Sequence, residues 1–176
     1  MPHPPLFILT GWREAGKTTL CRRLAQAARQ AGWGVAGLLS PARFENGVKT
    51  GIEVLDLRSD EHRLLASCTP GEIAGLQLGK WYMDPNALMW GNQVLQHATP
   101  CDILIIDELG PLEFDQQAGW SAGFPAIEQG LYRGALVVIR PEYLSRAQDR
   151  WPWGKVIELP GVSHCEQAMA ELLKYF

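Results

Sequence analysis

The order of apolar and polar positions along the chain predicts a sheet of buried strands with helices packed on it. Five short runs are apolar nearly throughout, which is typical of strands covered on both faces; they lie at residues 6–10, 35–39, 103–106, 135–139 and 156–159. Helices are predicted between and after these runs, at residues 17–31, 84–98, 124–132 and 163–175. Strands that alternate with helices in this way indicate a mostly parallel sheet with helices on both faces.

Turn and cap residues set the ends of several predicted elements. Asn46-Gly47, flanked by extended residues, predicts a hairpin, and residues 63–66 are expected to add a third strand to this antiparallel part. Asp84 is expected to cap the helix that follows it. Ser163 and Glu166 have the spacing of a capping box at the start of the last helix.

Length and composition limit what the chain can be. Its 176 residues suit a single domain, 1–176, with 47% hydrophobic and 20% charged residues and a net charge of −3. The sequence has no basic stripe of the kind that indicates a nucleic-acid partner. It also has neither a polybasic block nor an apolar run of about 20 residues, the features that indicate a membrane. The four cysteines form no C-x-x-C pair, so neither a zinc site nor a redox dithiol is predicted. Residues 1–9 lack Lys and Arg, unlike a signal peptide, and we expect a cytoplasmic protein.

The first chemical motif is a glycine-rich loop. Residues 11–18 read GWREAGKT and fit the pattern G-x-x-x-x-G-K-[ST] at every fixed position, after a buried strand and before a helix. The backbone of such a loop wraps a polyphosphate; Lys17 is expected to contact the β and γ phosphates, and the Thr18 hydroxyl to bind Mg²⁺. The residues predicted to bind nucleotide are Gly11, Trp12, Arg13, Glu14, Ala15, Gly16, Lys17, Thr18 and Thr19. Among them, the bulky residues 12–14 are expected to face solvent or the outer side of the nucleotide.

The second motif is the apolar run 103–106 with Asp107 and Glu108 directly after it. We expect this strand to lie beside the strand 6–10, with its end facing the phosphates. Asp107 is then placed to hold Mg²⁺, directly or through a water, and Glu108 to orient or deprotonate an attacking water. The alternative is that two acidic residues simply end a buried strand; the complete phosphate loop favours the catalytic interpretation.

Three segments together resemble one family of P-loop proteins. They are ILTGWREAGKTTL at residues 8–20, VAGLLSPARFENGVKTGIEVLDL at 35–57, and GKWYMDPNAL with DILIIDELGPLEF at 79–88 and 102–114. On these segments the chain is similar to the thermophile-type and cancer-related nucleoside-triphosphatases. The resemblance covers about residues 6–114 and is loose from Phe124 onward.

This resemblance implies an α/β fold with a RecA-like P-loop core, a three-layer sandwich whose mostly parallel sheet carries an antiparallel hairpin extension. It also implies Mg²⁺-dependent hydrolysis of several nucleoside triphosphates to diphosphate and phosphate. By position, Asp107 and Glu108 fall on the family's acidic strand end, and Glu113 on its second Glu. Trp81 stands where the family usually has Tyr, and Pro111-Leu112 where it has Lys-Met, which leaves base preference and rate open.

Four further features have two interpretations each. Arg140, at the end of an apolar run, either reaches the γ-phosphate as an arginine finger in cis or faces solvent. Glu113 either orients Lys17 or a water, or forms a surface salt bridge. The side chains of residues 80–82, Lys-Trp-Tyr, either stack on a base or pack in the core. The Trp-Pro-Trp segment at 151–153 either is an exposed patch for a protein partner or a second copy, or packs under a loop.

Three functions are compatible with these motifs. The first is a nucleoside-triphosphate phosphohydrolase with Mg²⁺ as cofactor, with Lys17, Glu108 and Arg140 as catalytic residues and broad tolerance for the base. The second is a small-molecule or nucleotide kinase, which needs an acceptor pocket. The third is a nucleotide-dependent switch or an accessory protein in cofactor assembly. The Asp-Glu order favours the first, and the stretch VVIRPEYL at residues 137–144 lacks the guanine-reading N/T-K-x-D motif of Ras-like GTPases.

Overall fold

The structure is a computed structural model and describes residues 3–175. Within these residues the chain forms one ten-stranded sheet and six α-helices, none of which combines the length and apolar character needed to cross a bilayer. The strands are β1 (Leu6–Thr10), β2 (Val35–Leu39), β3 (Ala42–Glu45), β4 (Val48–Asp56), β5 (His62–Ser67), β6 (Leu76–Leu78), β7 (Trp81–Met83), β8 (Ile103–Leu109), β9 (Gly134–Ile139) and β10 (Lys155–Glu158). The α-helices are α1 (Lys17–Gln30), α2 (Pro85–Gln96), α3 (Pro111–Gln116), α4 (Gly123–Glu128), α5 (Leu144–Arg150) and α6 (Cys165–Leu172).

The sheet has a parallel half and an antiparallel half. Its strand order is β10-β1-β9-β8-β2-β4-β5-β7-β6, with β3 paired to β4. Pairs from β10 to β2 are parallel, and pairs from β2 to β6 are antiparallel. The predicted sheet, with a parallel part and an antiparallel hairpin extension, is confirmed. The extension is larger than expected because it also includes the three-residue strands β6 and β7.

The position of β8 differs from the sequence prediction. β9 lies between β1 and β8 and pairs with both, so that Leu136 is opposite Phe7 on one side and Ile105 on the other. The prediction that the acidic strand is the direct neighbour of β1 is therefore wrong. Burial agrees with an inner position for β9, whose six residues are all buried, and with an edge position for β10, which has one buried residue, but β1 is equally buried, so burial does not fix the order of the inner strands.

Helices cover both faces of the sheet, which gives three layers. Successive side chains of a strand point to opposite faces. In β1, Leu6 and Ile8 pack in the core under α2, α4 and α5, whereas Phe7 and Leu9 pack in the core under α1 and α6. All four side chains are at most 1% exposed. The predicted three-layer α/β sandwich is confirmed.

Most predicted element ends are confirmed, and two are not. The turn Asn46-Gly47 joins β3 and β4 with φ of 50° and 78°, and Asp84 accepts a backbone hydrogen bond at the start of α2. The capping box predicted at Ser163 is wrong, because this residue lies within a 3₁₀ turn (Val162–His164) and its hydroxyl contacts the neighbouring imidazole ring. The helix predicted over residues 124–132 is shorter, since α4 ends before Gly130, which has a positive φ of 64°.

The Trp-Pro-Trp segment is mostly packed against the body of the protein. Trp151 is fully buried, and its ring centroid lies 5.9 Å from that of Phe124. Trp153 is half-buried and stacks on His3 with 3.8 Å between ring centroids. The interpretation that this segment packs under a loop is therefore correct for Trp151. The interpretation that it forms an exposed patch is wrong for this residue.

Candidate active site

The loop between β1 and α1 lies tightly against a later part of the chain. Gly11 has a φ of 155°, and a Cβ atom there would come within 2.3 Å of the Leu159 carbonyl oxygen. Gly16 has a φ of 95°, and a Cβ atom there would lie 3.0 Å from the Sγ atom of Cys165. Both motif glycines are therefore required by backbone conformation and by space. The loop they shape has the form that surrounds an anion with backbone amides.

Lys17 occupies the first position of α1 and is only 9% exposed. Its ammonium group donates hydrogen bonds to the carbonyl oxygens of Gly11 at 2.7 Å and Trp12 at 2.8 Å. The same group lies 3.9 Å from Oε2 of Glu108. Because α1 begins here, the positive end of its dipole adds to the charge of the lysine. A cation, the loop amides and a helix N-terminus therefore meet at the end of β1.

Asp107 lies at the same edge of the sheet and is 2% exposed. Its carboxylate accepts a hydrogen bond from the Ser40 backbone N–H at 3.2 Å, and the Thr18 side chain lies close enough to act on its pKa. The Ser40 hydroxyl donates to the Asp107 carbonyl oxygen at 2.5 Å. Burial raises the pKa of Asp107 to about 6, although the hydrogen bonds from Thr18 and Ser40 oppose the shift. The two predicted metal-binding residues, Thr18 and Asp107, are thus direct neighbours.

Glu108 lies between two cations. Arg140 donates a hydrogen bond through Nε to Oε1 at 2.6 Å, and Lys17 approaches Oε2. The pairing of β8 with β9 shifts register between Ile106 and Leu109, the stretch that carries both acidic residues. Such an irregularity interrupts the regular alternation of side chains between the two faces of the sheet. Arg140 thus has a protein partner that neither interpretation of the sequence named, and its role as an arginine finger stays a prediction.

Glu113 lies near Arg140 but forms its hydrogen bonds with backbone groups. It is 5% exposed and accepts backbone hydrogen bonds from Gly110 at 2.8 Å and Trp120 at 2.7 Å. Burial raises the pKa of Glu113, and these two hydrogen bonds oppose the shift. The surface salt bridge predicted for Glu113 is wrong, because the side chain is buried on backbone N–H groups, and the role in orienting Lys17 or a water stays a prediction. The residue caps the start of α3 and ties it to the segment before α4.

The outer residues of the loop face away from the protein. Trp12, Arg13 and Glu14 are exposed, Trp12 by 70%, as the sequence predicts. Ala15 is buried, and Thr19 is exposed on the first turn of α1. The structure therefore places the bulky loop residues where they can contact only solvent or a bound molecule's outer side.

Sequence reasoning missed two polar residues near this edge, Ser40 and Lys49. Ser40 directly follows the buried strand β2, and a polar residue after a parallel strand was the available signal. Lys49 lies near the tip of the β3–β4 hairpin, and its Nζ is 5.6 Å from the ring centroid of Trp81. Lys80 approaches the same ring at 5.0 Å. Trp81 is half-buried on β7, so base stacking by this residue stays a prediction.

Comparison with known proteins shows the family of the chain. The sequence model of a family described as NTPase matches residues 6–120. The chain belongs to this family. The matched part of the NTPase family contains the phosphate loop, Asp107 and Glu108, whereas Arg140 and the strands on either side of β1 lie outside it.

Curated relatives of the chain include proteins named nucleoside-triphosphatase THEP1 from several organisms. The Caldivirga maquilingensis protein is 30% identical over 105 residues, which are 60% of this chain and 58% of that protein. The Methanopyrus kandleri protein is 30% identical over 119 residues, 67% of this chain and 63% of that protein. The Methanocaldococcus jannaschii protein is 32% identical over 110 residues, 61% and 63% of the two chains. Each match spans less than two thirds of the relative's length.

Two solved structures have the same fold over almost the whole chain. A human cancer-related nucleoside triphosphatase has a TM-score of 0.72 at 21% identity, covering 97% of this chain and 96% of that one. THEP1 from Aquifex aeolicus has a TM-score of 0.61 at 16% identity, covering 96% of each chain. The fold shared with these NTPases therefore includes β9 and β10, which lie beyond residue 120.

Proposed function

We propose that this protein is a Mg²⁺-dependent nucleoside-triphosphatase that converts a nucleoside triphosphate and water into the diphosphate and phosphate. The observation that carries the proposal is the contact between Thr18 and Asp107 beside Lys17, with Glu108 adjacent. The names of the curated relatives, nucleoside-triphosphatases, support the same activity.

The residues at the sheet edge fit a magnesium ion. Thr18 and Asp107 offer a hydroxyl and a carboxylate oxygen, and Mg²⁺ in phosphate-transfer sites is held by one or two such groups together with substrate phosphates. When bound, Mg²⁺ neutralises charge on the β and γ phosphates. Ser40 holds the Asp107 carboxylate in place through its backbone N–H. The ion and the phosphates therefore belong to one site in this proposal.

Glu108 is the residue that we assign to the attacking water. Its carboxylate accepts a hydrogen bond from the water and takes a proton while the water oxygen bonds to the γ-phosphorus. The bond from the γ-phosphorus to the bridging oxygen breaks, and diphosphate and phosphate leave. Lys17 and the loop amides stabilise the charge on the transferring group. Arg140 acts as a positioning residue, because its hydrogen bond fixes the orientation of Glu108.

Broad tolerance for the base belongs to the same proposal. The segment after β9 carries no guanine-reading motif, since residues 137–144 read VVIRPEYL. All the residues assigned above act on phosphates, metal or water and none on a base. We therefore expect the wild type to hydrolyse ATP, GTP, CTP and UTP at similar rates. The differences among these four rates should be smaller than the changes caused by the substitutions described next.

Phosphate release from the four nucleoside triphosphates with Mg²⁺ tests the proposal. Glu108→Gln keeps the size of the side chain and removes the base, so kcat should fall by about 10²-fold or more while nucleotide still binds. Lys17→Ala should abolish binding, because the loop loses its cation. Glu171→Gln, at an exposed position of α6, is the matched control and should behave like the wild type.

Three outcomes contradict parts of this assignment. Unchanged turnover in Glu108→Gln removes that residue from the mechanism. Phosphate transfer that requires an added acceptor favours a kinase over a hydrolase. The absence of both turnover and binding heat for every nucleotide with Mg²⁺ in the wild type overturns the proposed function.

A further inference from the structure

A segment near the end of the chain lies directly against the phosphate loop. This supporting segment, residues 159–165, runs from the residue after β10 to the first residue of α6. At its start, the Leu159 backbone N–H donates to the Thr10 carbonyl oxygen at 2.8 Å, and the Leu159 carbonyl oxygen lies against Gly11. The first glycine of the loop is therefore held in place by the start of the supporting segment.

The end of the supporting segment contacts the second glycine of the loop. A Cβ atom at Gly16 would lie 3.0 Å from the Sγ atom of Cys165 and 3.5 Å from a methyl carbon of Val162. The same Sγ atom lies 4.0 Å from the Gly16 carbonyl oxygen, and Cys165 is only 4% exposed. Gly16 and Cys165 are thus in contact, although 149 positions separate them in the sequence.

The helix that begins at Cys165 is fixed to the body of the protein. Cys165 and Leu172 of α6 pack in the same apolar core as Ala15 of the phosphate loop. An ion pair of 2.7 Å between Arg23 and Glu166 also joins α1 to α6. This pair is largely exposed, so core packing provides most of the attachment. The residue that contacts Gly16 therefore has a fixed position relative to the loop.

We propose that Cys165 is a positioning residue of the nucleotide site, which holds Gly16 so that the loop amides point at the bound phosphates. This inference rests on the proposed function and extends it to a segment beyond the family-matched residues 6–120. Gly16 has a φ of 95°, and glycine loses more conformational freedom on ordering than any other residue. Contact with Cys165 and Val162 restricts this freedom before a nucleotide binds.

The effect of this contact on the reaction follows from what the loop amides do. A loop that already has its bound conformation loses less entropy when the ligand binds, so the ligand binds more tightly. The amides contact phosphates that are present in both the triphosphate and the diphosphate, whereas Glu108 acts only on the attacking water. Loss of the contact should therefore weaken both nucleotides alike and raise KM, with little change in kcat.

Substitution of Cys165 by Ala tests the inference, because it removes the thiol and leaves a gap beside Gly16. We expect KM for ATP with Mg²⁺ to rise by roughly 3- to 10-fold while kcat stays within about twofold. Calorimetric affinities for the diphosphate and for a non-hydrolysable triphosphate analogue should fall by the same factor. Cys165→Ser keeps an atom and a donor at the γ position, and its KM should return to within about twofold of the wild type.

Two control variants separate positioning from stability. Leu172→Ala changes a fully buried residue of the same core, about two turns or roughly 10 Å further along α6. It removes more buried atoms, so the midpoint of urea unfolding should fall further than in Cys165→Ala while KM stays unchanged. Cys101→Ala controls for the loss of a thiol, since this half-buried residue precedes β8 at the end of the parallel strands opposite the loop.

A rise in KM for Cys165→Ala with rescue by Ser supports the inference. Wild-type KM in a folded Cys165→Ala variant overturns it, and so does an equal rise in Leu172→Ala, which would show a general effect of α6 stability. If Cys165→Ala does not fold, Cys165→Val decides, because its added γ-carbon crowds Gly16. Loss of nucleotide affinity in that variant supports the inference, and unchanged affinity overturns it.

The wild type separates failure of the inference from failure of the proposed function. Nucleotide binding without hydrolysis overturns the hydrolase assignment alone, because the affinities for diphosphate and triphosphate still test the role of Cys165. A wild type that binds no nucleotide with Mg²⁺ overturns both.

Discussion

Among the residues of the site, Asp107 has the main electrostatic conflict, because burial opposes the ionisation of its carboxylate. A carboxylate that is 2% exposed is costly to ionise, and the hydrogen bonds from Thr18 and Ser40 only partly offset the cost. A bound divalent cation would remove the conflict, because it favours the charged form. In the absence of a cation, the buried carboxylate of Asp107 therefore lowers the stability of the fold.

Substitution of Asp107 by Asn should stabilise the metal-free protein at neutral pH. The pKa is raised from 3.8 to about 6 in the folded state. Between these values the folded state binds more protons than the unfolded state, so the free energy of unfolding falls as pH rises from about 4 to 6 and stays low above this. A shift of this size corresponds to about 2–3 kcal/mol at pH 7, to about 0.5 kcal/mol at pH 4, and to no difference at pH values well below 3.8.

Urea unfolding at several pH values, with EDTA and without nucleotide, measures this effect. Asp149→Asn, at an exposed position, controls for the loss of a surface carboxylate. Asp107→Asn should also lose Mg²⁺-dependent nucleotide binding. If the variant is less stable than the wild type at every pH, then burial is not the dominant influence on this carboxylate.

The residues whose roles could be predicted from the sequence alone are those that belong to motifs. Lys17, Thr18 and Asp107 were predicted because their spacing has a known chemical meaning, and the structure brings them together. The bond between Arg140 and Glu108 joins residues 32 positions apart. It depends on β9 lying next to β8, which no local pattern reveals.

At the scale of elements, α3 shows how a buried acid can serve structure. Helices leave their first backbone N–H groups without partners, and the six-residue α3 satisfies one of them at its N-cap through Glu113. The other oxygen of the same carboxylate binds the backbone N–H of Trp120. One side chain therefore connects the start of α3 to the segment that leads into α4.

Glu113→Ala should destabilise the fold with little direct effect on chemistry. Two buried N–H groups lose their acceptor, which costs about 2–5 kcal/mol in total. Glu113→Gln should cost less, because one oxygen remains. Gln116→Ala, exposed on the same helix, is the control and should be near neutral. Chemical denaturation measures the stability; a variant of wild-type stability that loses turnover would show instead that Glu113 acts in the site.

Elements with strong periodicity or turn signals were predictable, and short ones were not. Patterns of at least four residues predicted the strands β1 and β8, the helix α1 and the hairpin at Asn46-Gly47. β6 and β7 have three residues each, too few to show alternation. The capping box at Ser163 failed because the chain forms a 3₁₀ turn before α6, which shifts the cap position to His164.

For the whole molecule, sequence predicted the layers but not the order of strands. Continuous apolar runs require cover on both faces, and this fixes a three-layer sandwich. Several of these runs are buried at every residue, so their burial does not reveal that β9 takes the position between β1 and β8. The consequence for the site is that Arg140, directly after β9, reaches Glu108 on the neighbouring strand β8.

Nucleotide binding should be visible in the stability of the whole molecule. At a nucleotide concentration of 100 times Kd, binding to the folded state alone adds about 2.7 kcal/mol. For a chain of this size that corresponds to a rise in Tm of about 5–10 °C. Thermal unfolding with ATP and Mg²⁺ measures it, and both EDTA and Lys17→Ala should abolish the shift. An equal shift in Lys17→Ala would mean that the ligand binds elsewhere.

The position of β1 within the sheet has a consequence for synthesis on the ribosome. Both of its neighbours, β9 and β10, are translated long after it, and so is Leu159, against which Gly11 packs. A nascent chain that stops before Gly134 holds the entire glycine-rich motif while both sides of its supporting strand are still unpaired. The strand that leads into this motif therefore gains its sheet partners only after residues 134–158 have been synthesised.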